Sequence, residues 1–375
     1  MQNIRMVDLR GQYLAIKDEI DAAIQSVLDE TSFIKGPAVK AFEAQLAAYI
    51  GSESSLAVGN GTDALQIAFM ALGIGKGDEV ITPAFTFIAT AEAAALMGAK
   101  PVFVDIDPQT FNMDPAKIEA LITPNTKAIV PVHLFGQSAD MDPILEIAKK
   151  HNLHIIEDCA QAIGATYKGR KVGLDGDFGT LSCFPSKNLG AYGDAGAMFS
   201  NDESLLHKAR MIANHGSQKK YYNELVGINS RLDSIQAAIL GVKLRYLDDY
   251  IKARQLAAQR YDTLFADYDH IVTPQIAATN DHVFHQYTLR VEKRDELSTF
   301  LKSKQIPHAV YYPVPLHELP VFKSGDAAAA GDMTETERAC KEVISLPMHT
   351  ELTMDQQEFI AKTLIGFYQE QTVTF

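Results

Sequence analysis

The 375-residue sequence is poor in cysteine, in positive charge and in long apolar runs. Its three cysteines, Cys159, Cys183 and Cys340, are too few and too scattered for a disulfide framework or a zinc ribbon. Basic residues number 34 against 47 acidic ones, a formal net charge of −13. A chain that acidic has no electrostatic reason to track a phosphate backbone or an anionic membrane surface. No nucleic-acid partner is expected, and a phosphate-bearing ligand must be held by locally arranged donors. No apolar stretch approaches the ~20 residues of a membrane span, and the start, Met1 to Asp8, lacks the apolar run of a signal peptide. The expectation is a soluble, cytoplasmic protein. What the chain does have is ordinary globular composition, 47% hydrophobic and 22% charged. At ~150 residues per domain, the length predicts two domains.

From about residue 60 to 200, short apolar runs alternate with helical patterns. The expected strands are Glu79–Thr82, Pro101–Val104, Ala128–Val132, His154–Ile156, Thr180–Phe184 and Gly196–Phe199. Between them, Asp63–Leu72, Ala91–Met97, Pro115–Leu121 and Pro143–His151 carry apolar residues at helical spacing. This alternation predicts an α/β fold with a largely parallel sheet covered on both faces. Ligands of such sheets sit at the carboxyl ends of the strands, so Pro83–Phe87, Asp158–Gln161 and Ser182–Lys187 are expected to converge. Arg231 to about Tyr268 reads as one or two long helices bridging to a smaller α+β unit, which places the boundary at 1–245 and 246–375. In that unit a strand is expected over Gln286–Val291, a helix near Arg294–Ser303, a strand near His308–Tyr312 and a helix near Met354–Tyr368. Lys323–Gly331 is the one biased segment and reads as a mobile surface loop.

Three stretches carry chemistry. In Ser182–Ala197 a single lysine, Lys187, follows an apolar strand and precedes a glycine-rich turn. A lysine held near apolar surface loses its proton more easily and attacks a carbonyl as a neutral amine; a solvated loop lysine beside turn glycines is the plainer alternative. The second stretch, Ile155–Gln161, is an apolar strand ending in two carboxylates. Pyridoxal phosphate needs a lysine for its Schiff base and an acid opposite the pyridine nitrogen. Asp158 is the candidate acid, and Glu157, one residue earlier, should face the other side of the strand. The third, Val58–Leu65, sets Gly59 and Gly61 ahead of a helix, a ready anion site at the positive end of its dipole. Thr62 either caps that helix or bonds a phosphate oxygen. His151 and His154 have ligand-like spacing but straddle a helix-to-strand junction, so no metal site is expected; His133 reads as a hydrogen-bonded structural residue, and Cys159 and Cys183 as small buried fillers.

Taken together, Asn60–Leu65, Thr82–Phe87, Glu157–Gln161, Phe184–Gly190 and Asn229–Asp233 resemble the sugar-nucleotide aminotransferases of the DegT/StrS family. The likeness runs in order from Val7 to His349. It implies pyridoxal-phosphate fold type I, the aspartate aminotransferase architecture, in a homodimer with shared active sites. It implies that Lys187 forms the Schiff base and moves the proton, that Asp158 pairs the pyridine nitrogen and that Gln161 lies beside the ring hydroxyl. By the same resemblance Phe87 stacks on the cofactor ring, and Gly61, Thr62 and Ser182 form the phosphate cup. Asn229 reaches the phosphate from the neighbouring subunit, with Arg231 beside it near the substrate. Tyr311, Tyr312 and His317 are candidates to meet a sugar nucleotide, although a proline-set turn with surface aromatics would look the same. The implied reaction takes an amino group from glutamate to a nucleotide-linked ketosugar, for the amino sugars of surface polysaccharides such as lipopolysaccharide. The resemblance is strongest to enzymes that aminate C3 of UDP-linked 3-keto-N-acetylglucosaminuronate, with C4 amination of a UDP- or dTDP-4-keto-6-deoxy sugar second. This chain has Tyr311 where the C3 enzymes tend to carry histidine. A sugar dehydratase on the same fold would lack Lys187, and a regulator would need a basic DNA-binding module that the first ~30 residues do not supply.

Overall fold

Apolar runs of four or five residues, too short for helices and flanked by proline, glycine and aspartate, build an eight-stranded sheet in the computed structural model, which describes residues 4–323, 328–329 and 332–372. Across the sheet the strands are ordered Ser55–Val58, Gly196–Phe199, Phe178–Ser182, His154–Asp158, Thr126–Ile129, Glu79–Pro83, Lys100–Val104 and Ala328–Ala329. All neighbours run parallel except Gly196–Phe199, which is antiparallel to both of its partners. The strand period of two explains why the central strands are apolar throughout. Val80, Ala128 and Ile156 pack under the helices Gly61–Leu72 and Glu203–Ile212. Their chain neighbours Ile81, Ile129 and Ile155 pack on the other face, against Met141–His151.

Local chemistry sets the helix ends. Gly73, at φ 74°, closes the first of these helices in the left-handed conformation that glycine adopts without strain. Asp202 caps Glu203–Ile212 by accepting from the Ser204 and Leu205 N–H groups. The lysine- and arginine-rich run after Arg231 breaks into Ser234–Leu244 and Leu247–Phe265. The longer helix then packs with Met354–Thr372 and a three-stranded sheet, Ile271–Val272, Tyr287–Val291 and Val343–Leu346, around Tyr261, Phe265, Leu289 and Leu364. No described helix is long and apolar enough to cross a membrane.

Two expectations need correction, and two strands were not anticipated. His308–Tyr312 is not a strand: only Ala309 bridges to Ser345. Pro307 and Pro313 flank it and cannot donate to a ladder, and Val343–Leu346, which the sequence reading passed over, takes the place beside Tyr287–Val291. Pro115–Leu121 forms two short 3₁₀ turns rather than one α-helix. The strand Ser55–Val58, also unforeseen, pairs only with Gly196–Phe199 at this end of the sheet. Most of the presumed loop Lys323–Gly331 lies outside the described residues, although Ala328–Ala329 pairs in parallel with Val102–Phe103.

Candidate active site

The carboxyl ends of Glu79–Pro83, His154–Asp158 and Phe178–Ser182 open into a cavity of ≈ 690 Å³. Gly61, Thr62, Phe87, Asp158, Gln161, Ser182, Lys187, Tyr311 and Tyr312 all line it. The expected convergence therefore occurs, and it does so because parallel strands deliver their following loops to one edge.

Asp158 and Glu157 diverge as strand geometry requires. Asp158 turns into the cavity, where Oδ2 accepts from Thr90 Oγ1 at 2.7 Å and Oδ1 from the Ala160 N–H at 3.0 Å. Glu157 turns away and is fully buried, accepting from the N–H groups of Gly173, Asp175 and Gly176 and facing His133 Nε2 at 2.9 Å. Burial pushes the Glu157 carboxyl up, but His133 and the Gly173 and Gly176 N–H groups outweigh it and hold the group below the usual range. His133 Nδ1 accepts from the Ala139 N–H at 3.0 Å, which assigns the remaining ring proton to Nε2, toward Glu157. It is thus a structural residue beneath the site. His151 and His154 bind separate carboxylates, Glu119 and Asp177, and do not form a pair.

Lys187 rises from the turn after Phe178–Ser182. Its own N–H donates to the Phe184 carbonyl at 2.8 Å, while the Ala191 N–H closes the turn on the Cys183 carbonyl at 2.8 Å. Removal from water pushes the Lys187 ammonium down to about 8, with Asp158 and the Cys183 thiol acting in the opposite sense. Its Nζ makes no hydrogen bond among the described residues. Cys159 and Cys183 are free and buried.

At the other end of the cavity, the Asn60 side chain accepts from the Asp63 N–H at 2.8 Å and caps the helix Gly61–Leu72. The Gly61 and Thr62 N–H groups keep no intrahelical partner. A Cβ on Gly61 would come within 2.8 Å of Ser182 Cβ, so glycine is needed for the helix start to approach the strand end this closely. Helix dipole, open N–H groups and the Ser182 hydroxyl form a neutral set of donors that could hold a phosphate. Phe87 is a large apolar side chain, 56% exposed, at the cavity wall, available to stack on a planar ring. The donor set, the carboxylate and the aromatic face together fit pyridoxal phosphate.

Gln161 is held from both sides: its Oε1 accepts from the Phe135 N–H at 2.8 Å, and its Nε2 donates to the Tyr312 hydroxyl at 3.1 Å. Tyr311 and Tyr312 are half-buried at the same cavity. His317 is not brought there. It lies in the short turn Leu316–Glu318, with Nε2 3.6 Å from Glu337. Asn229 and Arg231 also stay outside this chain's cavity. Between them Ser230 donates to Asp63 at 2.6 Å and accepts from the Gly59 N–H at 2.9 Å, which leaves Asn229 exposed. The sequence reading missed Thr90, His285 and Gln286. Thr90 lies in the first turn of the helix Ala89–Leu96 and meets Asp158 only through the fold, and His285 and Gln286 precede a strand of the three-stranded sheet; none of the three carries a local signal.

A lysine at a strand end, an acid facing it and a helix N-terminus open to an anion, on a mostly parallel sheet, define a pyridoxal-phosphate transferase of fold type I. Residues 14–365 match the model of the DegT/DnrJ/EryC1/StrS aminotransferase family, and the chain belongs to that family. It is 51% identical to the pleiotropic regulatory protein of Geobacillus stearothermophilus, over 98% of this chain and 99% of that one. It is 47% identical to the UDP-2-acetamido-2-deoxy-3-oxo-D-glucuronate aminotransferase of Pseudomonas aeruginosa, over 96% of this chain and 99% of that one. Identity is 46% with the UDP-N-acetyl-3-dehydro-alpha-D-glucosamine 3-aminotransferase of Acidithiobacillus ferrooxidans, over 96% and 97% of the two chains. Among solved structures, S. venezuelae DesV in complex with a ketimine intermediate superposes with a TM-score of 0.94 at 40% identity, covering 97% of this chain and 98% of that one.

Proposed function

We propose that this enzyme transfers an amino group from glutamate to the 3-keto group of a UDP-linked N-acetylated hexose or its uronate. The observation that carries the reading is the single cavity in which Lys187, Asp158 and the Gly61–Thr62 helix start face one another. Two relatives named for UDP-3-ketosugar amination, aligned over nearly their whole length, support the sugar and its keto position.

Pyridoxal phosphate, when bound, supplies a conjugated electron sink for the carbon that exchanges its proton. The rest of the chemistry falls to groups of the protein. The Gly61 and Thr62 N–H groups and the Ser182 hydroxyl hold the phosphate. Phe87 covers one face of the ring. Asp158, oriented by Thr90 and the Ala160 N–H, keeps a proton on the pyridine nitrogen. The Lys187 amine, with its pKa lowered to about 8, is neutral often enough near neutral pH that it would take the proton from the donor's α-carbon and deliver it to the cofactor's former aldehyde carbon, on the far side of the transferred nitrogen. In the second half of the cycle the same amine moves the proton in reverse at the ketosugar carbon. Tyr311 and Tyr312, at the cavity edge, offer hydroxyl groups and ring faces to the sugar.

The active form in this reading is a homodimer in which Asn229 and Arg231 complete the neighbouring subunit's site. Their exclusion from their own cavity supports this. The division into 1–245 and 246–375 belongs to the same reading, supported by the separate apolar cluster of Tyr261, Phe265, Leu289 and Leu364. The test is to offer the holoenzyme UDP- and dTDP-linked 3- and 4-ketosugars with glutamate and to identify the product by mass and NMR. A 3-amino UDP-sugar is expected; amination only at C4, or only of dTDP-sugars, overturns the substrate assignment.

A further inference from the structure

Lys243 is fully buried on the helix Ser234–Leu244, yet no carboxylate accompanies it among the described residues. Its neighbours are the Cys183 thiol, the Arg254 guanidinium and the Tyr192 ring, whose centroid lies 5.3 Å from Nζ. Nζ donates instead to the Gly190 carbonyl at 2.5 Å. A buried ammionium-bearing stem without a counter-ion is costly, and an apolar side chain of similar volume would fill the same space with less penalty. The interaction that keeps it there is with the turn that carries Lys187.

That turn is tight. The Phe184 carbonyl takes the Lys187 N–H and the Cys183 carbonyl takes the Ala191 N–H. A Cβ on Gly190 would come within 2.2 Å of the Pro185 carbonyl oxygen, so the chain doubles back on itself there. Asn188 pins the middle of the turn by donating to the Val283 carbonyl at 3.0 Å. Lys243 pins its end.

We propose that Lys243 is a positioning residue for Lys187: its hydrogen bond to the Gly190 carbonyl fixes the turn so that the Lys187 amine reaches the carbonyl carbon of the cofactor. The proposal rests on the assignment of Lys187 given above. It adds a residue that touches neither cofactor nor substrate, and it predicts a selective defect. Covalent capture of pyridoxal phosphate depends on where Lys187 points. Binding of pyridoxamine phosphate, which has no carbonyl to offer, depends only on the phosphate cup, Asp158 and Phe87.

The experiment compares affinities for the two cofactor forms in the cofactor-stripped full chain, followed by visible absorbance and fluorescence. In Lys243→Met the affinity for pyridoxal phosphate should fall by about ten- to a hundredfold, the scale of misplacing a reacting group by ~1 Å. Affinity for pyridoxamine phosphate should stay within about twofold, since the groups assigned to hold it, Gly61, Thr62, Ser182, Asp158 and Phe87, lie outside the Phe184–Ala191 turn. Leu244→Ala, at a buried neighbour on the same helix, controls for general loosening and should not separate the two forms. Equal loss of both affinities in Lys243→Met, or loss of neither, overturns the proposal. Should Lys243→Met fail to fold, Lys243→Gln is read by the same ratio: its NH₂ group keeps a donor but on a shorter stem, so a smaller selective loss is expected, and a wild-type ratio refutes the idea. Lys187→Ala separates this inference from its premise. If that variant retains the covalent advantage of pyridoxal phosphate, the Lys187 assignment fails; if it loses the advantage while Lys243→Met keeps it, only the role of Lys243 fails.

Discussion

Replacing Asp158 by asparagine isolates one charge with almost no change of shape. Asp158 is 5% exposed and its two oxygens are already oriented, one by Thr90 Oγ1 at 2.7 Å and one by the Ala160 N–H at 3.0 Å. An asparagine keeps the Ala160 bond through its oxygen, and the Thr90 hydroxyl can rotate to accept from the new NH₂ group. Folding should therefore be little affected. The catalytic loss is different in kind, because a neutral amide cannot hold a proton on the pyridine nitrogen and the ring becomes a poorer electron sink. Preorganised electrostatic contributions of this type are worth about 3–4 kcal/mol. At about 1.4 kcal/mol per decade, kcat should fall by a factor of a few hundred. The assay is single-turnover conversion of the holoenzyme by glutamate, followed by its visible absorbance, with cofactor content and thermal midpoint measured on the same sample. Loaded, folded enzyme that turns over within about threefold of wild type would refute the argument and reduce Asp158 to a loop-capping carboxylate.

Three further outcomes follow from the same geometry. Only the neutral Lys187 amine attacks a carbonyl, so the rate of pyridoxal phosphate capture by stripped protein should rise with pH and level off near 8 rather than 10.5, with borohydride trapping placing the adduct on Lys187; a rise continuing beyond pH 10, or an adduct elsewhere, contradicts the assignment. Gly61→Ala drives a methyl to within 2.8 Å of Ser182 Cβ, and overpacking of ~1–3 kcal/mol at the phosphate cup should weaken cofactor binding about fivefold or more by equilibrium titration; unchanged affinity means the helix start does not hold the phosphate. For a shared site, mixing inactive Lys187→Ala with a chain altered at Asn229 and Arg231 should restore activity once subunits exchange, because each mixed dimer holds one intact site; proven exchange without activity shows that those residues act in their own chain.

The chemistry was legible because it is written in short contiguous segments. A strand end fixes which of Glu157 and Asp158 faces the cavity, and a glycine before a helix leaves open N–H groups there, by local backbone geometry alone. Parallel strands then brought those segments to one edge as expected. Side chains that act across the fold were not legible. Thr90 reaches Asp158 from the helix Ala89–Leu96, Phe135 and Tyr312 meet at Gln161, and His285 joins the cavity from the segment before the strand Tyr287–Val291. His317 reads like its neighbours Tyr311 and Tyr312 in sequence, yet the turn Leu316–Glu318 carries it toward Glu337 instead.

Lysine and arginine in a helical run show the same limit. Between Arg231 and Tyr268 the composition of the run pointed to one or two long helices, and it forms two. Burial of Lys243 and Arg254 depends on which side of each helix meets the sheet and the Lys187 turn. Sequence by itself determined most local conformations and the candidate groups that line the cavity, since both follow from residues adjacent in the chain. Tertiary structure alone decided which charges lose their water and which carbonyls receive them, because those partners lie far apart in sequence and meet only when the layers pack.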